Sequence, residues 1–209
     1  MLVRDIMTSP VVSISPDITL QEAYQTMREK EIRHLPVTEG RKLVGIITDR
    51  DLRLATSALA PAPFPPGALV KDVMCRAPLT ADVIDPVEDA ARLMREHKIG
   101  CLPIVDDGQL IGIITGLDLL YALMSMTGAD KPSGRMEVRL ADRPGELAWL
   151  TSFMSHRDLN IHSILTYPEG PGKLRAVLRV GSNQTRPIAQ DMRRAGFDVV
   201  WPPEKPCPQ

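Results

Sequence analysis

Aromatic side chains are scarce in this chain: three Phe, three Tyr and two Trp make up 4% of 209 residues. A surface that grips sugars or single-stranded nucleic acid needs stacking platforms, so the scarcity weighs against both. An excess of one charge is also lacking. Lys plus Arg number 25 and Asp plus Glu 26, for a formal net charge of −1, with no long basic run. The electrostatic footprint of a DNA-binding protein is therefore missing. Cysteine is limited to Cys75, Cys101 and Cys207. Three widely spaced cysteines make neither a disulfide framework nor a zinc site. Cys101 stands in an apolar strand and reads as a core residue. No run of 18 apolar residues occurs, so no segment is expected to span a membrane. Met1 to Met7 has neither the basic start nor the apolar core of a signal peptide, and the expected location is cytoplasmic. P-loop, GxGxxG, HExxH and nucleophile-elbow motifs are all lacking, and no metal site is expected.

What the chain does contain is a copy of itself. Val3, Asp5 and Met7 recur as Val70, Asp72 and Met74, an offset of 67 residues. At the same offset Ala23 and Met27-Arg28-Glu29 recur as Ala90 and Met94-Arg95-Glu96, and Leu35-Pro36 as Leu102-Pro103. Gly45-Ile46-Ile47-Thr48 recurs as Gly112-Ile113-Ile114-Thr115, and Asp51-Leu52 as Asp118-Leu119. Two copies of one supersecondary unit are implied, each burying an apolar face against the other.

Each copy opens with a short amphipathic turn. A helix is predicted over 19–30 and again over 86–97. Leu20, Ala23, Tyr24 and Met27 fall at i, i+3, i+4 and i+7, the spacing of one helical face. Thr19 with Glu22 fits a capping box, and Asp85-Pro86 an N-cap followed by Pro at the first helical position. Two strands follow, His34–Val37 with Leu43–Thr48, and Cys101–Val105 with Leu110–Thr115. A second helix begins after each Thr. The outline is β-α-β-β-α, an α/β (α+β) fold. The expected domains are 1–60 and 70–125 for the copies, with a Pro-rich connection at 61–69. A linker at 126–134 leads to a third unit at 135–201, and 202–209 is a disordered tail.

The duplicated Gly-Ile-Ile-Thr-x-x-Asp segment has two readings. One is a capping-box variant at a strand-to-helix turn. The other uses the same geometry for a ligand. Free N–H groups and the dipole at a helix start favour phosphate, and a carboxylate one turn in can accept both hydroxyls of a ribose. Ile14, Leu35-Pro36-Val37 and Ile46 could line a base slot in the first copy. Met74, Leu102-Pro103-Ile104 and Ile113 could do so in the second. Arg33, His34 and Arg50 of the first copy are set against Gly100, Cys101 and Gly116 of the second. Phosphates need cations, so one cleft is expected to hold a charged nucleotide and the other to bind weakly or not at all. A solvated surface Arg is the plain alternative for Arg33 and Arg50, and strand packing for His34.

The two repeats resemble cystathionine-β-synthase (CBS) domains, which pair into a Bateman module. The Leu-Pro-Val-like strand and the Gly-apolar-apolar-Thr-x-x-Asp helix start carry the resemblance over residues 1–125. It implies an adenine nucleotide (ATP, ADP or AMP) as regulatory ligand in the clefts between repeats, with no other cofactor. Thr48 with Asp51, and Thr115 with Asp118, would hold the ribose and phosphate. Arg50, Arg33, Ile14, Pro36, Ile46, Pro103 and Ile113 would lie around them.

Residues 135–201 read β-α-β-β-α-β, the ferredoxin-like order. Asp142-Arg143-Pro144-Gly145-Glu146-Leu147 lies between the first strand and helix. As a turn, Asp142 would cap the helix and Gly145 avoid a clash, with Leu147, Leu150, Phe153 and Met154 on one face. The unit resembles an ACT domain, whose mark is Asp-x-Pro-Gly-x-Leu at this turn. That resemblance implies an amino acid bound at an interface by Asp142, Gly145, Leu147 and Asn160. Two CBS repeats followed by one ACT domain resemble the acetoin-utilisation AcuB family. The expected protein is a non-enzymatic sensor, a homodimer, with a target enzyme as partner and no nucleic-acid or membrane partner. An enzyme of acetoin or amino-acid metabolism, or a ligand-free dimeric adaptor, are the alternatives.

Overall fold

The structure is a computed structural model that describes residues 1–204. It divides into two compact units, Met1–Ala122 and Leu123–Gln209.

In the first unit each copy is built on a helix and a hairpin. The first has α1 (Leu20–Glu29), β1 (His34–Glu39), β2 (Lys42–Thr48) and α2 (Asp49–Thr56). The two-residue strand β3 (Cys75–Arg76) opens the second. It continues with α3 (Val87–His97), β4 (Cys101–Asp106), β5 (Gln109–Thr115) and α4 (Gly116–Met126). The strand expected at the start of each copy is reduced. Val3–Asp5 and Val70–Asp72 form single 3-10 turns, and Ile14 and Ala81 make lone parallel bridges to Val37 and Ile104.

The capping box at α1 forms as predicted: the Glu22 amide donates to Thr19 Oγ1 at 3.2 Å, and the Thr19 amide donates to Glu22 Oε2 at 2.8 Å. At α3 the N-cap is Pro86, without a side-chain bond, rather than Asp85. The Asp85 carboxylate instead accepts from the Asp82 amide at 2.8 Å, which turns the loop before the helix. Tyr24 departs from its predicted face as well, being 43% exposed while Leu20, Ala23 and Met27 are buried.

The copies exchange their opening segments. Val3 lies in the core of the second copy with Leu102, Ile104 and Ile114, and Val70 in the core of the first with Leu35, Val37 and Ile47. The Val3 amide donates to the Asp85 carbonyl and the Val70 amide to the Ile18 carbonyl, both at 2.9 Å. Thr8 exchanges two backbone hydrogen bonds with Ile113, of 2.9 and 3.1 Å. In the mirrored arrangement β3 pairs with β2, Cys75 opposite Ile46 and Arg76 opposite Gly45. The glycines make the crossings close. A Cβ on Gly45 would sit 2.5 Å from Met74 Sδ and 3.0 Å from the Cys75 carbonyl. On Gly112 it would sit 2.8 Å from Met7 Sδ and 3.1 Å from the Thr8 carbonyl.

The second unit folds as β6 (Gly134–Ala141), α5 (Glu146–Ser155), β7 (Ile161–Pro168), β8 (Lys173–Val180), α6 (Thr185–Arg194) and β9 (Asp198–Trp201). Its antiparallel sheet has the order β7-β8-β6-β9, the ferredoxin-like topology. Strand alternation turns Met136, Val138, Leu140, Ala176 and Leu178 into the core with Leu150, Met154 and Met192. Glu137, Arg139 and Arg175 alternate with them and are ion-paired, with Glu169 bridging Arg139 and Arg175. Those two guanidiniums hold the Glu169 carboxyl at about 2. The segment 127–133 is tied to this unit, since Ser163 Oγ donates to the Thr127 carbonyl at 2.5 Å. Of the expected tail, Pro202 is buried and its carbonyl accepts from Arg193 at 2.6 Å. Residues 205–209, with Cys207, lie outside the described residues.

Candidate functional site

Both copies end their hairpin in Thr and start a helix on the next residue. Thr48 is the N-cap of α2, with extended backbone. Its hydroxyl donates to Asp51 Oδ2 at 2.7 Å, its amide donates to the same oxygen at 2.9 Å, and the Asp51 amide donates back to Thr48 Oγ1 at 3.2 Å. In the second copy the Thr115 hydroxyl and amide both donate to Asp118 Oδ2 at 2.7 Å. The capping-box reading is thus realised, and it orients the carboxylate. In both boxes Oδ2 carries the bonds, while Oδ1 accepts none among the described residues. Both aspartates are partly exposed. A carboxylate oxygen without a partner, on a partly exposed side chain held one turn into a helix, is an acceptor for a ligand hydroxyl.

Cross-strand register sets the neighbours. His34 pairs with Thr48 and Pro36 with Ile46; Cys101 pairs with Thr115 and Pro103 with Ile113. These eight residues share one face of their hairpins, because side chains alternate along a strand. Where the copies meet, Ile46, Ile113 and Cys101 form a small apolar cluster with Val11 against it. A cavity of about 310 Å³, lined by Val11, Ser13, Thr38 and Arg41 among others, adjoins it through Val11. Ile14, Leu35 and Val37 do not join this face: they belong to the first copy's core. Leu102 and Ile104 are likewise core residues of the second. Strand alternation places them on the opposite side from Pro36 and Pro103. Met74, expected in the second copy's slot, packs on Gly45 of the first because of the segment exchange.

The polar surroundings differ between copies. The Asp49 amide donates to the Arg33 carbonyl at 3.0 Å, so Arg33 stands at the start of α2, and Arg50 is on its first turn; both are exposed. In the second copy the Gly116 amide donates to the Gly100 carbonyl at 3.2 Å. Aligning Thr48 with Thr115 makes Leu117, not Gly116, the counterpart of Arg50, and Gly116 that of Asp49. The half-buried His34 ring lies against Gly100, where a Cβ would be 2.9 Å from Nε2. Burial, then the nearby Arg33 charge, push its pKa below the usual value, with Asp51 opposing them. Burial, aided by the Asp51 charge, raises the Cys101 thiol to about 12. Cys75 is a residue that sequence reasoning missed. It pairs with Ile46 of β2, on the face that carries Thr48, and only the exchange of segments brings it there.

In the second unit the predicted ligand loop is exposed at Asp142, Gly145 and Leu147. Asp142 does not cap α5. Gly145 is the N-cap, with φ of +95°, and a Cβ there would meet nothing within 4 Å. The turn needs glycine for its backbone angle rather than for space. Leu147 is 40% exposed and leaves the apolar face to Leu150 and Met154. Asn160 lies elsewhere. The Asp142 amide bonds the Gly172 carbonyl at one end of the sheet, and the Asn160 carbonyl accepts from Gly181 at the other. The eight residues of β6 between those ends span about 25 Å. One chain therefore does not bring the four residues together.

Among the described residues no helix is long and apolar enough to cross a membrane, and no group of His, Cys, Asp or Glu is placed to hold a metal ion. The chain matches the CBS domain family at residues 3–57 and 70–125, more than half its length, and a TTHA0829-like ACT domain at 123–201. It is 38% identical over 127 residues to CBS domain-containing protein YhcV of Bacillus subtilis, 61% of this chain and 89% of that protein. It is 36% identical over 138 residues to inosine-5'-monophosphate dehydrogenase of Korarchaeum cryptofilum, 66% of this chain but only 27% of that enzyme. Among solved structures, CBSX2 in complex with AMP matches with a TM-score of 0.54 and 31% identity, over 59% of this chain and 96% of that one. The CBS pair of protein MJ0100, in complex with 5'-methylthioadenosine and S-adenosyl-L-methionine, matches with 0.53 and 30%, over 59% and 99%. An acetoin utilization protein (AcuB) of Vibrio cholerae matches with 0.54 and 30%, over 63% and 98%. The chain belongs to the CBS-domain family, as a tandem CBS pair followed by an ACT-like domain.

Proposed function

We propose that this protein is a non-enzymatic cytoplasmic sensor that binds an adenine nucleotide at the duplicated Thr–Asp box. One observation carries the reading. Each box holds its aspartate with one oxygen bonded and the other unclaimed at the start of a helix. Such a group suits a ribose hydroxyl, and the helix start suits a phosphate. The AMP and S-adenosylmethionine complexes of similar CBS pairs support it. Ligand binding would bias two states of the CBS pair and so act on a partner, a target enzyme in acetoin or central carbon metabolism. An amino acid on Asp142, Gly145, Leu147 and Asn160 would need a second copy of the chain to complete its site, which favours a homodimer.

The test is isothermal titration of the purified chain with ATP, ADP, AMP and S-adenosylmethionine. Micromolar or tighter binding of at least one is expected. Asp51→Asn should weaken binding at its cleft by about ten- to a hundredfold, the value of one or two charge-assisted hydrogen bonds. The absence of binding by all four sinks the reading and leaves the ligand-free adaptor.

A further inference from the structure

We propose that the two clefts take different chemical classes of adenosine. The Thr48–Asp51 cleft takes a nucleotide with a 5'-phosphate. The Thr115–Asp118 cleft takes an adenosine whose 5' substituent is uncharged or cationic, a thioether or a sulfonium. The division rests on the reading of both boxes as ribose anchors.

The anchors themselves are alike. Both boxes hold Oδ2 with bonds near 2.7 Å, and both stand at a helix start. The class of ligand is set by what surrounds them. Beside the first box lie Arg33, whose carbonyl holds the Asp49 amide, and Arg50 on the first turn of α2. Arg76 of the exchanged segment is not among them: it pairs with Gly45, whose face alternates away from Thr48, and its guanidinium donates to the Lys71 carbonyl at 3.1 Å. At the same two places the second copy has Gly100 and Leu117. Both arginines beside the first box, and Asp49, which is ion-paired with Arg53, are replaced by uncharged residues in the second.

A helix start supplies only about half a positive charge, too little to hold a phosphate dianion next to a carboxylate. The guanidiniums of the first cleft supply the rest through charge-assisted bonds. The second cleft offers Asp118 with no cation, so a phosphate there meets net repulsion and a sulfonium net attraction. Leu117 is 67% exposed and adds apolar surface suited to a thioether. The Cys101 thiol beside Thr115 stays un-ionised. His34 reaches toward Gly100, but burial and Arg33 keep its imidazole neutral near pH 7, so it lends the second cleft no charge.

The experiment is isothermal titration of the full chain, and of Asp51→Asn and Asp118→Asn, with AMP and with 5'-methylthioadenosine. Asparagine keeps an oxygen for the box, and a ligand-free thermal melt verifies folding. AMP affinity should fall at least tenfold in Asp51→Asn only, and methylthioadenosine affinity at least tenfold in Asp118→Asn only. As a second pair, Arg50→Leu should weaken AMP about tenfold, and Leu117→Arg should give the second cleft measurable AMP binding. Loss of both ligands in the same variant, or equal loss in both variants, overturns the division while leaving the nucleotide reading standing. Failure of AMP or of methylthioadenosine to bind the unaltered chain, with a folded melt, also overturns the division, whereas the nucleotide reading falls only if ATP, ADP, AMP and S-adenosylmethionine all fail to bind.

Discussion

In the first copy a reciprocal Thr19–Glu22 box starts α1; at the same place in the second, Pro86 starts α3 with no side-chain bond. Val3 and Val70, by contrast, are fully buried in equivalent sockets, and Gly45 and Gly112 lie under equivalent methionines. The same split runs through the clefts. Thr48, Asp51, Pro36 and Ile46 have identical counterparts, whereas Arg33, His34 and Arg50 do not. Close packing tolerates little change of volume, so the duplicated core and its crossings stay alike. Caps and cleft-rim charges contribute less to folding and are free to diverge, and there the copies can acquire different ligands.

The largest effect on this symmetry should come from deleting residues 1–8. That removes Val3 from the second copy's core and Thr8 from the edge of β5. Hydrogen exchange should then show β4 and β5 losing protection while β1 and β2, braced by Val70 and β3, keep more of theirs. Equal loss in both hairpins would mean that the copies fold as one cooperative block.

Next in size are Gly45→Ala and Gly112→Ala. Each forces a methionine and a crossing backbone aside, at a cost of roughly 1–3 kcal/mol. Gly45→Ala should cost more, because its Cβ would come to 2.5 Å of sulfur and 3.0 Å of a carbonyl, against 2.8 and 3.1 Å at Gly112. Urea melts of both variants give the order directly, and the reverse order would show that the second crossing is the stiffer one.

The smallest effect separates His34 from its counterpart Cys101. The folded imidazole has a lowered pKa, so the unfolded chain binds the proton more readily. His34 therefore contributes full stability above its ordinary value of 6.5 and loses it as pH falls from there through the folded value. The slope cannot exceed about 1.4 kcal/mol per pH unit for one proton. His34→Gln should flatten this part of the stability profile. Cys101, raised to about 12, adds nothing to it. An unchanged profile in His34→Gln would assign the acid-side loss to other groups.

Much of the fold is legible in local signals. The repeat offset, the Thr19 box, the Ile-Ile strand pairs and the β-α-β-β-α-β order of the last unit each depend on residues close together in the chain. The Thr–Asp box is legible for the same reason, its members being three residues apart. Ile14, Leu35 and Val37 lie in the core rather than the slot, a distinction not legible in the sequence because hydrophobicity identifies a strand without saying which of its two faces meets the core. Composition makes Asp142 look like a cap, because it does not show that a glycine three residues on, at φ of +95°, already starts the helix.

By itself the sequence determined that there are two like copies and a third unit, which segments are helix or strand, and where each Thr–Asp box stands. Only the tertiary structure decided which copy each opening segment serves. Val3 and Val70 are the same residue in the same pattern, and the two sockets are nearly the same shape, so pairing within a copy and pairing between copies look alike to local chemistry. The geometry of the crossed chain breaks that tie. It lays Cys75 and Arg76 along β2 of the first copy and Thr8 along β5 of the second.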